Sequence, residues 1–275
     1  MHKIFLLCLF LISACTSTTL KTDSDVTRKQ FVILPEFMAL SMANEGYQQA
    51  KQKALENKQL NQDVYLLNEV RKISYRLIDE VRYFRPDASD WKWEVNLQTS
   101  EEINAYCMPG GKIMVFTGLI DKAAKTNDEI AAVVGHEIAH ALREHGRERM
   151  STALVQQLGI LGFAIYISDS SDNRELKNLA VQGVALGTTL FFALPNSREQ
   201  EREADKIGLE LAARAGYNPL AAVSLWRKMD ELSDMQPPEF LSTHPSNQSR
   251  IDDLQIQAKK IMYLYEENKI RFTNN

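Results

Sequence analysis

The chain has 275 residues, 44% of them hydrophobic and a quarter charged, which is enough apolar material for one substantial core or two small ones. The formal net charge is −4, and no run of Lys or Arg offers a track for a phosphate backbone. Nucleic acid is therefore excluded as an expected partner.

Residues 1–14 differ in character from the rest of the chain. Lys3 precedes nine apolar residues, 4–12, and then Ser13, Ala14 and Cys15. Nine residues are too few to cross a hydrocarbon core of about 30 Å, so the stretch reads as a secretory signal cleaved before Cys15. Ile12-Ser13-Ala14-Cys15 resembles the bacterial lipobox. That resemblance implies acylation of Cys15 and a lipid anchor facing the periplasm, and Thr16 after the Cys implies the outer membrane. With Cys8 lost with the signal and Cys15 acylated, Cys107 stands alone and no intramolecular disulfide is expected.

Residues 15–30 are rich in Thr, Ser, Asp and Lys and read as a tether, leaving 31–275 as the folded domain. A helix is expected over 39–58. Another is expected over 61–84, where Val64, Leu67, Val70, Ile73, Leu77, Val81 and Phe84 recur at helical spacing before Pro86. Trp91, Trp93, Val95 and Leu97 alternate with polar residues and predict a strand. Strands over 103–108 and 112–117 flank Pro109-Gly110-Gly111, which supplies hairpin turn chemistry. The remainder reads as helices near 126–147, 149–168, 174–194, 197–216, 218–234 and 246–267, with 235–245 a loop because it contains Pro237-Pro238. The expected class is α+β, mostly helical, with a small three-stranded sheet. Residues 151–168 and 178–197 carry no charge, but Gln156, Gln157, Gln182, Thr188, Thr189 and Pro195 argue against membrane spans. Buried helices beside a site, or a membrane-facing amphipathic hairpin, remain as readings.

His136-Glu137-Ile138-Ala139-His140 falls in one helical stretch. At about 100° per residue the two His are about 40° apart and about 6 Å along the axis, so both imidazoles reach one ion. Glu137 projects about 60° from His140, placed for a carboxylate that takes a proton from water activated by the ion. A catalytic zinc takes three protein ligands. His145, nine residues after His136, is turned about 180° away and reads as a solvated residue of the last helical turn; Glu144 lies about 12 Å along the axis, too far to share the ion. Further on, Ser197 makes an N-cap that sets Glu201 and Asp205 on one face at i and i+4. Glu201 then suits ligation, and Asp205 suits orienting a ligand His. The same stretch also reads as a charged, solvated helix start with Glu199 and Glu203 as natural occupants. Residue types alone leave Glu201 in competition with them.

Asp128-Glu129-Ile130 with the run to His140, then Ser197-Arg198, Glu201 and Ala204-Asp205, then Thr243-His244-Pro245, together resemble metallopeptidase family 48, the HtpX and CAAX-prenyl-protease type of gluzincin, over about residues 60–255. The resemblance implies a zincin-like fold, one zinc per chain, His136, His140 and Glu201 as ligands, Glu137 as base, and Asp205 as the partner of a ligand or a proton donor. It also places His244 near the zinc, either in the open coordination position or hydrogen-bonded to the oxyanion of the reaction. Membrane spans like those of HtpX and the prenyl proteases are not expected in this sequence. Soluble periplasmic members, including the β-barrel assembly-enhancing protease but without its tetratricopeptide domain, are the nearer resemblance. The function this implies is cleavage of misfolded or stalled envelope proteins, with unfolded chains as substrates and the outer-membrane assembly machinery as a further partner. Asn104, Ala105 and Tyr106 lie where an extended substrate would add a strand, if 103–108 is a free edge and not a purely structural strand. A zinc-stabilised chaperone or assembly adaptor and a cell-wall zinc hydrolase are the competing classes. Glu137 weighs against the adaptor, because a structural zinc needs no base.

Overall fold

The computed structural model describes residues 15–167, 194–233, 239–244 and 248–272. Short strands β1 (Cys15–Thr16) and β2 (Gln30–Phe31) pair antiparallel. Helix α1 spans Glu36–Glu56, and α2 (Val64–Ile78) starts where the Asp63 side chain accepts a hydrogen bond from the Leu66 amide. Leu67, Val70, Ile73 and Leu77 form the buried stripe that the periodicity predicts. The helix stops at Ile78, short of residue 84, and 3-10 turns at Val81–Tyr83 and Pro86–Asp90 keep Val81 and Phe84 in the core.

Strands β3 (Glu94–Gln98), β4 (Ala105–Met108) and β5 (Lys112–Phe116) form one sheet in the order β3-β5-β4, with β5 parallel to β3 and antiparallel to β4. Gly110 and Gly111 turn the hairpin at φ of 80° and 81°, a region open to glycine at no steric cost. Strand β4 is an edge: among the described residues, no strand pairs with its outer side.

After the short helix α3 (Thr117–Lys122), α4 (Asn127–Leu142) runs through the centre of the domain. It opens on a reciprocal cap in which Thr126 accepts from the Glu129 amide and Glu129 accepts from the Thr126 amide. The continuous helix expected over 126–147 is broken. Glu144 adopts φ 51°, and a new helix, α5 (His145–Ile167), begins behind it. Such a conformation costs about 1–3 kcal/mol for a residue with a Cβ, and ion pairs to Arg85 (2.7 Å) and Arg147 (2.6 Å) hold Glu144 there. The break resets the helical phase, so His145 turns inward and is fully buried.

Helix α6 (Arg198–Arg214) carries a second reciprocal cap, between Ser197 and Gln200. It meets α4 at a glycine pair. A Cβ on Gly208 would stand 2.8 Å from the His136 backbone nitrogen, and one on Gly135 would stand 3.0 Å from the Gly208 carbonyl oxygen. The missing side chains let the backbones approach closely enough for Glu201, two turns before Gly208 on the same face, to confront the His-bearing face of α4.

Helices α7 (Ala221–Ser233), α8 (Glu239–Thr243), α9 (Gln248–Lys260) and α10 (Met262–Asn268) complete the helical part. Within the expected loop over 235–245, the described residues Glu239–Thr243 form a short helix, and the helix expected over 246–267 is interrupted at Ile261. Residues 16–30, expected as a solvated tether, lie against the domain with Thr19, Ser24, Val26 and Gln30 buried. Their apolar content is low, but polar contacts fix them: Thr22 and the Ser24 amide donate to Glu210, and Leu20 donates to the Phe84 carbonyl. Of the uncharged stretches, residues 151–158 expose Thr152, Val155, Gln156 and Leu158, which departs from the buried-helix reading of that stretch. The expected signal over 1–14 and residues 168–193, with nearly all of the helix expected over 174–194, lie outside the described residues. Among the described residues, no helix is long and apolar enough to cross a membrane.

Candidate metal centre

Four side chains from three elements converge at the α4–α6 crossing. His136 and His140 come from α4, Glu201 from α6, and His244 from the residue after α8; one ligand atom from each lies within 4.8 Å of all the others, and all four residues are buried. His136 Nε2 is 3.0 Å from His140 Nε2 and 3.2 Å from His244 Nδ1. Glu201 Oε1 is 2.9 Å from His244 Nδ1 and 3.3 Å from His140 Nε2, while its Oε2 is 3.3 Å from His136 Nε2. Zinc bonds of about 2.0–2.1 Å arranged tetrahedrally put neighbouring ligand atoms roughly 3.3 Å apart. The donor set, three imidazoles and a carboxylate, is one that zinc takes readily. The residues therefore fit the ion that the sequence implies.

The surroundings orient these groups. Asp205 Oδ1 lies 3.0 Å from His136 Nδ1, and Arg250 grips Asp205 with Nε at 2.6 Å and Nη2 at 2.8 Å. Arg250 Nη1 also stands 2.7 Å from Glu201 Oε2, and its guanidinium stacks 3.7 Å over the Trp226 ring. Burial disfavours the charged form of Glu201, but His244 and Arg250 outweigh it and hold the carboxyl well below its usual range. Burial likewise opposes a proton on His136, yet Asp205 and Glu201 raise its pKa to about 9. The negative charge that attracts a proton there equally attracts a cation.

Glu137 faces the cleft beside the cluster. Its Oε1 is buried with no hydrogen-bond partner among the described residues, and His244 Nε2 stands 3.5 Å away. Burial pushes the Glu137 carboxyl above its ordinary pKa, towards the range useful to a base. The cleft is lined by Asn104, Tyr106, Glu137, His140, Arg149 and His244, so the edge strand β4 forms one wall. His244 is held by its amide bond to the Phe240 carbonyl, by stacking on the Phe240 ring at 4.3 Å, and by Asn196.

His136, Glu137, His140, Glu201, Asp205 and His244 thus meet in one place, with Asn104, Ala105 and Tyr106 on the wall of the same cleft. Two expectations are corrected. His145 is not solvated: its Nδ1 lies 2.8 Å from His140 Nδ1 and its Nε2 lies 3.0 Å from Glu203 Oε2. Glu203, read as an occupant of a solvated face, is buried against His145, Arg28 and Arg143. Glu199 does remain exposed. Arg250 was missed, although it precedes Ile251, Leu254 and Ala258 on the buried stripe of its helix. A lone Arg on an apolar stripe was the available signal.

An HExxH helix facing a glutamate from a second helix defines a zincin-like metallopeptidase scaffold. The model of Peptidase family M48 matches residues 67–258, and the chain belongs to that family. It is 39% identical over 158 residues to the mitochondrial metalloendopeptidase OMA1 of Arabidopsis thaliana, covering 58% of this chain and 30% of that protein. Against the Bos taurus mitochondrial metalloendopeptidase OMA1 it is 37% identical over 186 residues, covering 64% and 35%. Against the β-barrel assembly-enhancing protease of Escherichia coli it is 28% identical over 171 residues, covering 60% and 34%. The chain spans about a third of the length of these relatives.

Proposed function

We propose that the chain is a zinc-dependent endopeptidase that cleaves misfolded or stalled proteins of a bacterial envelope. The observation that supports this best is the buried Glu137 Oε1, without a hydrogen-bond partner among the described residues, beside four converging ligand atoms. His136, His140 and Glu201 would hold the ion. Bound zinc supplies Lewis acidity, which makes water a better proton donor and polarises the scissile carbonyl. Glu137 takes the proton from the attacking water at Oε1 and passes it to the leaving amine. Asp205, locked by Arg250, keeps His136 in the orientation that presents Nε2 to the cluster.

Substrate would add as a strand along β4. The Phe116 amide bonds to the Asn104 carbonyl, and the Gly111 amide to the Met108 carbonyl, so alternation turns the backbone of Ala105 and Cys107 towards the cleft. Within the 104–106 segment, Ala105 therefore offers the backbone contact, and Tyr106 shapes the wall. Recognition through backbone groups is blind to sequence and selects extended chains. The name of the E. coli relative, an assembly-enhancing protease, supports a place beside outer-membrane assembly. A lipid on Cys15 would anchor the protein there. Chelator-stripped protein should fail to cleave an unfolded protein, and one equivalent of zinc should restore cleavage. Zinc uptake with binding of the unfolded chain but no cleavage would favour the adaptor instead.

His244 acts as the gate. Its Nδ1 lies 2.9 Å from Glu201 Oε1 and 3.2 Å from His136 Nε2, and would suit a resting fourth ligand better than an oxyanion donor. Held there, His244 would have to swing aside before water and substrate enter. His244→Ala should therefore keep zinc and cleave faster than wild type, as read from kcat and metal content together. A fall of about 10²-fold or more with zinc retained would make His244 an oxyanion donor.

A further inference from the structure

The buried positions of His145 and Glu203 lead from the metal centre to the N-terminal segment. His140 turns Nε2 to the cluster, so its Nδ1 carries the proton and donates to His145 Nδ1 at 2.8 Å. His145 must then carry its own proton on Nε2, which donates to Glu203 Oε2 at 3.0 Å. Each tautomer is set by the next group along. Glu203 ends the line as a carboxylate held by two guanidinium groups. Arg28 donates from Nε to Oε1 at 2.8 Å and from Nη2 to Oε2 at 3.0 Å, and Arg143 donates from Nη2 to Oε2 at 3.0 Å.

Arg28 lies far from this helix pair in sequence, on the segment that runs against the domain before α1. That segment is fastened on both sides of it. Arg143 donates to the Arg28 carbonyl at 2.9 Å and to Thr19 Oγ1 at 3.1 Å, Gln30 donates to the Arg143 carbonyl, and the Ile33 and Leu34 amides donate to Ser151 Oγ at 3.1 Å. Arg28 itself also forks onto Glu148, at 2.6 and 2.9 Å. Two buried carboxylates on two helices thus share one guanidinium brought in from outside them.

We propose that Arg28 is a positioning residue for the metal site, and that the segment 17–34 is a strap closing the relay Arg28, Glu203, His145, His140 that fixes the orientation of a ligand. This rests on the zinc-site reading of the four converging side chains. Groups that orient a ligand His typically change metal affinity about 10–100-fold when removed. Arg143 stays on Glu203 without Arg28, so Arg28→Met should fall at the lower end of that range and Glu203→Gln higher.

The test uses the full chain. Zinc Kd is measured by competition with a chromogenic chelator, and the visible absorption of the Co2+-substituted protein reports ligand geometry. Arg28→Met and Glu203→Gln should both weaken zinc and shift the cobalt bands, while Arg28→Lys, which keeps the charge without the fork, should fall between Arg28→Met and wild type. Arg214→Ala is the control, because it releases the same segment at Asp23 without touching the relay; its Kd and spectrum should match wild type. An Arg28→Met protein with wild-type Kd and cobalt bands overturns the proposal, as does an equal loss in Arg214→Ala. If Arg28→Met does not fold, Arg28→Lys decides by the same criteria. A wild-type chain that takes up no zinc overturns the zinc site itself, a distinct outcome.

Discussion

Glu201→Gln should weaken zinc binding by more than ~100-fold, beyond the loss typical of groups that only orient a ligand. The carboxylate contributes the only negative charge among the four converging groups, and both of its oxygens lie within 3.3 Å of ligand nitrogens. An amide oxygen keeps the shape and loses the charge. Removing one partner of a buried ion pair can cost 3–5 kcal/mol in its own right, at order of magnitude. Here Arg250 retains both bonds to Asp205, which limits that penalty. Glu199→Gln, exposed in the first turn of the same helix, should hold zinc like wild type. Dialysis against a chelator separates the two. Equal release from Glu201→Gln, Glu199→Gln and wild type would remove Glu201 from the ligand set.

The approach of His136 and His140 on α4, with Glu137 beside them, was legible because all three sit within about one turn of a single helix, where spacing alone dictates direction. Glu201 was half legible. The Ser197 cap set the helical phase correctly, but phase could not distinguish a face turned to α4 from one turned to water, and that choice is made by the Gly135–Gly208 approach. His145 was misread for a different reason. Counting 100° per residue assumes an unbroken helix, and the left-handed Glu144, a residue with no intrinsic preference for that conformation, resets the count. The tertiary ion pairs to Arg85 and Arg147 hold it in that conformation.

The fold shows the same division. The α2 stripe, the Pro109-Gly110-Gly111 hairpin and the reciprocal caps at Thr126 and Ser197 are local chemistry, and each was written in residues a few positions apart. The N-terminal segment was misjudged as a tether because composition measures apolar content. It is instead held by hydrogen bonds and ion pairs to Glu210, Glu148 and Glu203, partners more than a hundred residues away. Arg250 belongs with these: its partners Asp205 and Glu201 lie on another helix.

Glu137→Gln tests the central claim most directly. Its Oε1 has no hydrogen-bond partner among the described residues and stands 3.5 Å from His244 Nε2, the ring nitrogen turned away from the four converging atoms, so an amide should fit without disturbing the ion. A general base contributes about 10²–10⁴-fold to rate, and an amide cannot accept the proton. Zinc content and cleavage of an unfolded protein, measured on the same preparations of wild type and Glu137→Gln, should give one zinc per chain in both and a rate lower by that factor in the variant. Equal cleavage by the two zinc-loaded proteins would contradict the account.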